Sequence, residues 1–276
     1  MPKKDSLEFE INYLLEAILH RYGYDFRHYA RASLERRVMN RLNLSGLEHV
    51  TELTCKILHD PEYFDLFLKD MSITVTEMFR DPSVFKAIRS FVCSRLRTYS
   101  RVNIWHAGCA TGEEVYSMAI MLQEEDLLSR TQIYATDFNN HSLTLAKEGI
   151  YPAEKMQLFT ENYQQAGGKA SFADYYQAKY QFAKFKDTLK KHITFANHNL
   201  IKDQVFAQMH LVMCRNVLIY FDQQLQNQVL TLFQQSLVHR GYMVLGDKES
   251  LEFSCVDKSF ERVDTNARIY RLTADV

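Results

Sequence analysis

The sequence predicts an α/β protein with a Rossmann-like, doubly wound sheet, an all-helical N-terminal domain and a small inserted antiparallel β-subdomain. Beyond residue 100, short apolar runs that end in polar residues alternate with amphipathic stretches. The stretch from Val102 to Tyr116 joins a buried strand to a helix through a loop of small residues, as in the first βα unit of such sheets. Apolar residues spaced three and four apart before residue 70 predict the helical domain.

The composition is that of a folded protein with a large core. The chain has 276 residues, of which 46% are hydrophobic, with only 9 Gly and 4 Pro. A net charge of −1 gives no overall field that would attract nucleic acid or a membrane. The cysteines form no C-x-x-C pair, and no signal peptide or apolar run of ~20 residues is evident. We therefore expect a cytoplasmic monomer with reduced thiols, no metal site and no membrane insertion.

Residues 1 to 70 are expected to form the helical domain. Its first helix has one apolar face, made by Leu7, Ile11, Leu14, Leu15, Ile18 and Leu19. The next stretch is basic, because it contains six arginines and only two acidic residues, Asp25 and Glu35. This charge is either a solvated helix face or a landing site for an acidic partner at Arg31, Arg37 and Arg41.

Residues 71 to 98 are expected to be a linker followed by a helix at the ligand site. Thr74 and Thr76 fall on one side of an extended segment, so that their hydroxyls can line one cleft. Asp81 is expected to cap the helix and Pro82 to occupy its first position. Arg80 precedes the cap, where an arginine is usually a surface residue.

Residues 99 to 276 are expected to form the sheet domain, and its first loop, from His106 to Gly112, indicates the ligand. Gly108 and its small neighbours allow a ligand close to the backbone. Glu113 and Glu114 open the next helix and would repel a pyrophosphate, and the loop lacks the G-x-G-x-x-G spacing. S-adenosylmethionine, which carries an ammonium and a sulfonium, fits better. On these residues alone, a loop that only joins strand to helix is the alternative.

Polar residues follow the later strands as well. A second strand ends at Asp137, where such folds place a carboxylate on the ribose hydroxyls, although Asp137 can also cap the next helix. Two further strands lead into Asn199 and Asn216. Because the carboxyl ends of parallel strands meet at one edge of the sheet, we expect these residues to line one site.

An insertion at about residues 155 to 192 breaks the alternation of strands and helices. Gly167 and Gly168 signal a turn, and the segment bears lysines and aromatic residues, namely Tyr175, Tyr176, Tyr180, Phe182 and Phe185. We expect a small β element. Its aromatic residues either contact a partner or pack the insertion against the main domain.

Together these motifs resemble the CheR-type chemotaxis receptor methyltransferases over nearly the whole chain. The resemblance rests on T-x-T-x-x-F-R at Thr74 to Arg80, A-G-C-A-T-G-E-E-x-Y-S at Ala107 to Ser117, and C-R-N-V-L-I-Y-F at Cys214 to Phe221. It implies a protein-glutamate O-methyltransferase of chemotaxis adaptation. Such an enzyme uses S-adenosylmethionine, releases S-adenosylhomocysteine, and methylates glutamates in a receptor's cytoplasmic helical bundle.

The resemblance also implies the site residues. Cofactor contacts would be made by Thr74, Thr76, Arg80, Gly108, Glu114, Asp137, Asn199, Leu200, Asn216 and Val217. Arg80 and Tyr220 match residues at the family's reacting centre. The insertion is longer and more aromatic than in members that dock a receptor's C-terminal tail.

Two other functions remain open from the sequence. One is a methyltransferase of the same fold that acts on another protein, a small molecule or nucleic acid. The other is a module without activity that senses S-adenosylmethionine and regulates a partner. The presence of Arg80 and Tyr220 favours catalysis.

Overall fold

The computed structural model describes residues 3–71 and 76–273, with side chains from residue 6 onward. The chain divides into two units. The first comprises Met1–Ile73 together with Ile219–Gln226, and the second comprises Thr74–Leu218 together with Asn227–Val276. Within the described ranges, no helix combines the length and the apolar character that crossing a membrane requires.

Four helices build the first unit: α1 (Lys3–Tyr22), α2 (Arg31–Leu44), α3 (Val50–His59) and α4 (Pro61–Met71). The apolar face predicted for α1 is confirmed, because Ile11, Leu14 and Ile18 are fully buried. These side chains exclude water together with Leu53 and Ile57 of α3, so packing of amphipathic faces holds the helices together.

The segment from residue 219 to residue 226 comes from late in the chain but belongs to this helical unit. The N–H of Ala30 donates a hydrogen bond of 2.7 Å to the carbonyl of Tyr220. The N–H of Asp222 donates one of 2.8 Å to the carbonyl of His28, and Tyr29 and Phe221 form an antiparallel bridge between these bonds. The segment is thus paired with the chain that leads into α2.

The second unit is the α/β part, and its elements alternate as predicted. They are α5 (Pro82–Ala87), which continues through a π-helical turn (Ile88–Val92) into α6 (Cys93–Leu96), then β1 (Val102–Ala107), α7 (Glu113–Glu124), β2 (Thr131–Asp137), α8 (Asn140–Glu148), β3 (Ile150–Pro152), α9 (Met156–Gln165), β4 (Tyr176–Lys179), β5 (Phe182–Phe185), α10 (Asp187–Lys190), β6 (Ile193–Asn197), β7 (Met209–Cys214), α11 (Gln223–Ser236, whose first turn belongs to the helical unit), β8 (Leu237–Leu245), β9 (Phe260–Asp264) and β10 (Ile269–Leu272).

The main sheet has seven strands in the order β6-β2-β1-β7-β8-β10-β9. The first five strands run parallel, and β10 is antiparallel to both of its neighbours. The chain adds strands on one side of β1 and then crosses to β7 on the other side. This reversal is a topological switch point, where open α/β sheets bind their ligands beyond the carboxyl ends of the strands.

The sheet is buried because its central strands are apolar on both faces. Ile104 and Trp105 of β1 are adjacent, point to opposite faces, and are both fully buried. The indole N–H of Trp105 donates to the hydroxyl of Thr136 at 2.8 Å, so its one polar atom is satisfied. This core fixes the ends of β1 and β2 at the edge where the loops begin.

The insertion forms a three-stranded antiparallel sheet in the order β3-β5-β4. It starts at Ile150, five residues before the predicted boundary, because the first strand precedes α9. Ala183 and Phe185 face its buried side, whereas Phe182 and Lys184 face outward. The aromatic residues of the insertion therefore divide between buried and exposed positions.

Candidate functional site

The loop that follows β1 is fixed to the end of β2 by three hydrogen bonds. The N–H groups of Gly108 and Cys109 both donate to the carbonyl of Thr136 at 2.9 Å. The N–H of Ala110 donates to Oδ2 of Asp137, also at 2.9 Å. The loop thus lies over the end of β2, at Asp137, the residue predicted to bind the ribose hydroxyls.

Asp137 does not cap the helix after it. The side chain of Asn139 caps α8, accepting hydrogen bonds from the N–H groups of His141 and Ser142, while Oδ1 of Asp137 accepts from the N–H of Asn139. The carboxylate of Asp137 is therefore held by backbone N–H groups, those of Ala110, Phe138 and Asn139. Burial raises the pKa of Asp137, which is only 9% exposed.

The loop after β6 is tied to the same place. The N–H of His198 donates to the carbonyl of Asp137 at 3.2 Å. Next to it, Asn199 shapes its own turn: its N–H donates to the carboxylate of Asp203, and its Oδ1 accepts from the N–H of Ile201. Leu200 is half-buried and lines a surface cleft of about 580 Å³ beside α11.

The loops after β1 and β7 touch at the switch point. Gly108 has a φ of +74°, and a Cβ atom there would lie 2.6 Å from Cγ2 of Val217. Only glycine combines this backbone conformation with this close approach. Asn216 is also left-handed, with a φ of +61°. The loops after β6, β2, β1 and β7 therefore form one continuous rim at the carboxyl edge of the sheet.

Glu249, which was given no role from the sequence, fixes the loop after β7. Its carboxylate accepts hydrogen bonds from the N–H groups of Asn216 (3.0 Å), Val217 (2.8 Å) and Gly246 (2.6 Å). The residue is buried, with an exposed fraction of 4%. Its signal in the sequence was the L-G-x-x-E pattern after β8, but nothing in that pattern shows which N–H groups it meets.

Arg215 is the second residue that the sequence analysis missed. Its Nη1 donates to Oε2 of Glu114 at 2.8 Å and to the carbonyl of Arg80 at 3.2 Å. Its Nη2 donates to the carboxylate of Asp81. The predicted cap at Asp81 is therefore wrong: the residue precedes α5 with a left-handed φ of +55°, and its side chain turns to Arg215 instead.

The two glutamates that open α7 differ in charge. Burial alone would raise the pKa of Glu114, but Arg215 and His106, whose Nδ1 lies 3.1 Å from Oε1, hold the pKa at about 2. Glu113 is 2% exposed, and burial raises its pKa to about 7 although the Thr111 hydroxyl donates to it. At neutral pH only Glu114 is fully charged, and Arg215 already balances it.

The segment before α5 is anchored by Phe79, whose side chain is fully buried. The N–H of Phe79 donates to the hydroxyl of Ser117 on α7 at 2.8 Å. Thr76 and Arg80, on either side of it, are half-buried. Thr74 lies outside the described residues. The hydrogen bond that Arg215 donates to the carbonyl of Arg80 fixes the backbone of Arg80 just before α5.

The basic landing site expected at Arg31, Arg37 and Arg41 needs correction. Arg31 pairs with Glu35 at 2.7 Å, and Arg41 pairs with Asp70. Arg37 is buried and donates to the carbonyl of Met71. The i,i+4 pair of Arg31 and Glu35 follows from helical spacing, but the partners of Arg41 and Arg37 lie 29 and 34 positions away, and spacing in sequence could not show them.

Comparison with known proteins agrees with this architecture. Residues 74–269 match the CheR methyltransferase SAM-binding domain, and residues 10–72 match the CheR methyltransferase all-alpha domain. The chain is 49% identical over 271 residues to a Pseudomonas putida KT2440 protein provisionally named methyltransferase Cher3, covering 98% of this chain and 99% of that protein.

Two further relatives are named chemotaxis protein methyltransferase. The protein of Vibrio anguillarum is 31% identical over 219 residues, which are 73% of this chain and 74% of that protein. The protein of Borreliella burgdorferi is 27% identical over 263 residues, or 88% of each chain. With both domain models matched in order, the chain belongs to the CheR family of S-adenosylmethionine-dependent methyltransferases.

Proposed function

We propose that this protein methylates glutamate side chains in the cytoplasmic domain of a chemoreceptor, acting in the cytoplasm and releasing S-adenosylhomocysteine. The observation that carries the proposal is the continuous rim of four strand-end loops, closed by Val217 against Gly108. The relatives named chemotaxis protein methyltransferase support the choice of a receptor as substrate.

Asp137 is the residue that fits the cofactor best. Its carboxylate lies at the carboxyl end of β2, where the backbone N–H groups of Ala110, Phe138 and Asn139 hold it in place. A ribose diol offers two hydroxyl donors to such a carboxylate. The other proposed cofactor contacts are Thr74, Thr76, Arg80, Gly108, Glu114, Asn199, Leu200, Asn216 and Val217.

Methyl transfer to a glutamate carboxylate needs no general acid or general base. Bound S-adenosylmethionine supplies a methyl group on a positively charged sulfur. A glutamate carboxylate is ionised at neutral pH, so no residue has to remove a proton from it. The protein must align the carboxylate with the methyl group and exclude water, which can lower the barrier by roughly 7–11 kcal/mol. We propose that Arg80 orients a carboxylate and that Tyr220 donates a hydrogen bond in this step.

We further propose that the insertion contacts the receptor. Tyr180 is 90% exposed and Phe182 is 54% exposed, and Lys179 and Lys184 are exposed beside them. Apolar rings next to ammonium groups suit a helical partner that carries both apolar and acidic residues. Arg31, Arg37 and Arg41, which have partners inside the helical unit, are not part of this proposal.

The proposal is tested by methyl transfer from tritiated S-adenosylmethionine to purified receptor cytoplasmic fragments. Tyr220→Phe and Arg80→Ala should each lower turnover by about a hundredfold or more, if they act at the transfer step. Matched controls are Tyr13→Phe, on an exposed tyrosine of α1, and Arg101→Ala, on an exposed arginine. Turnover unchanged in both site variants would refute their assignment.

A further inference from the structure

Arg37 lies against the ring of Tyr220, within the helical unit. The guanidinium carbon of Arg37 is 4.9 Å from the centroid of the Tyr220 ring, which is the geometry of a cation–π contact. Arg37 is only 8% exposed, whereas its neighbour Arg36 is exposed. Two adjacent arginines on one helix therefore have different surroundings.

The guanidinium of Arg37 is held in place from one side. Its Nη1 donates to the carbonyl of Met71 at the end of α4, while its Nη2 has no hydrogen-bond partner among the described residues. A buried cation loses its hydration, and it persists where contacts compensate that loss. The carbonyl of Met71 and the face of the Tyr220 ring contribute to that compensation.

The backbone of Tyr220 is held separately. The N–H of Ala30 donates to its carbonyl, and the next two residues pair with Tyr29 and His28. Nδ1 of His28 also lies 2.9 Å from the carboxylate of Asp222. Backbone pairing thus joins the segment around Tyr220 to the chain that leads into α2, and Arg37 holds the same segment a second time, through the ring of Tyr220.

We propose that Arg37 is a positioning residue, which holds the ring of Tyr220 in the orientation needed for methyl transfer. The proposal rests on the proposed function, in which Tyr220 acts in that step. Arg37 then contributes to the rate of transfer and not to electrostatic capture of the receptor. A residue of the helical domain thereby acts on the chemical step through a tyrosine that is encoded 183 positions later.

The first experiment separates turnover from receptor affinity. Arg37→Met and Arg36→Met each remove one charge from α2, and each is made in the wild type and in Tyr220→Phe. Arg37→Met should lower kcat about tenfold in the wild type, with KM for the receptor fragment unchanged. In Tyr220→Phe the same change should cost less than about twofold, since the hydroxyl to be positioned is gone. Arg36→Met should leave kcat unchanged.

A rise in KM with unchanged kcat in both backgrounds would overturn the proposal, because it would mean that Arg37 serves receptor binding. Equal losses of kcat in both backgrounds would also overturn it, because Arg37 would then act independently of Tyr220. Affinity for S-adenosylhomocysteine, measured by calorimetry, should stay at the wild-type value in every variant of Arg37.

The second experiment needs no methyl acceptor, so it separates failure of this proposal from failure of the proposed function. Backbone hydrogen exchange is followed in the peptide that spans residues 219–226. Arg37→Met and the milder Arg37→Lys should both speed exchange there, with the larger effect for Met, and Arg36→Met should not. If Arg37→Met loosens all four helices, the result for Arg37→Lys decides, and wild-type exchange at residues 219–226 in that variant overturns the proposal.

Discussion

Glu113 carries a carboxyl group that is only partly ionised at neutral pH. It is buried at the first turn of α7, and its pKa is raised from 4.5 to about 7. A raised pKa means that the folded state binds the proton more tightly than the unfolded state does. Its contribution to stability is therefore fully present below pH 4.5 and is lost as the pH rises through 7.

The raised pKa leads to a prediction for Glu113→Gln, which keeps the shape of the side chain and removes the charge. The variant should be more stable than the wild type at pH 8, by roughly 1–3 kcal/mol, and the difference should shrink toward pH 5. Urea denaturation at the two pH values measures it. Glu148→Gln, on an exposed glutamate of α8, is the matched control and should show no such trend. An equal difference at both pH values would contradict the raised pKa.

Arg215 is a buried arginine that forms ion pairs with two carboxylates. Its side chain is 1% exposed and balances both Glu114 and Asp81. Arg215→Met should destabilise the protein by about 3–5 kcal/mol, because it removes the cation that balances the largely buried carboxylate of Glu114. Arg262→Met removes a surface pair with Glu252, which water screens, and should cost much less. Thermal unfolding of the two variants compares them, and similar losses would show that the Arg215 cluster is not effectively buried.

At the scale of elements, Glu249 connects the loop after β8 to the loop after β7. Its carboxylate satisfies three N–H groups, which include those of Asn216 and Val217. In Glu249→Gln one of the two oxygens becomes an NH₂ group, which cannot accept these bonds. Affinity for S-adenosylhomocysteine should then fall about tenfold or more, since hydrogen bonds to charged groups contribute about 1.5–3 kcal/mol.

The control for this variant is Glu252→Gln, three residues later, which only breaks an exposed pair with Arg262. Its affinity by calorimetric titration should equal that of the wild type. Wild-type affinity in Glu249→Gln would show that the loop after β7 keeps its shape without the carboxylate, and that Asn216 and Val217 do not depend on it.

The elements themselves were largely predictable, because each depends on local periodicity. Apolar spacing predicted the buried face of α1, and the strands before Asp137 and Cys214 are where the alternation placed them. These features are properties of short stretches of sequence. The small residues of the loop after β1 predicted close approach of a ligand, whereas the neighbour that the structure places against Gly108 is the side chain of Val217.

The partners of charged residues were not predictable in the same way. Arg215 meets Glu114 across 101 positions, and Glu249 meets Asn216 across 33. Asp81 has the residue type of a helix cap, but its left-handed backbone and Arg215 draw the side chain away. Arg37 has the residue type of a surface site and is buried. Tertiary contacts decided each case, and no local pattern encodes them.

At the scale of the whole molecule, the insertion presents the surface proposed to select the substrate. The double variant Tyr180→Ser and Phe182→Ser should raise KM for a receptor fragment several-fold, because it removes exposed apolar contact area. Affinity for S-adenosylhomocysteine should not change. Phe253→Ser, on a phenylalanine outside the insertion that is 94% exposed, is the matched control. An unchanged KM in the double variant would exclude these two rings from receptor binding.

The central claim is that this chain transfers a methyl group from S-adenosylmethionine to a receptor carboxylate. The most direct test is the chemical nature of the label that tritiated S-adenosylmethionine leaves on a receptor cytoplasmic fragment. A methyl ester is hydrolysed by mild alkali, so the account predicts that the label is released as volatile methanol, and that replacing the acceptor glutamates by alanine abolishes labelling. Label that resists alkali, or a fragment that acquires none while S-adenosylhomocysteine still binds the protein, would contradict the claim.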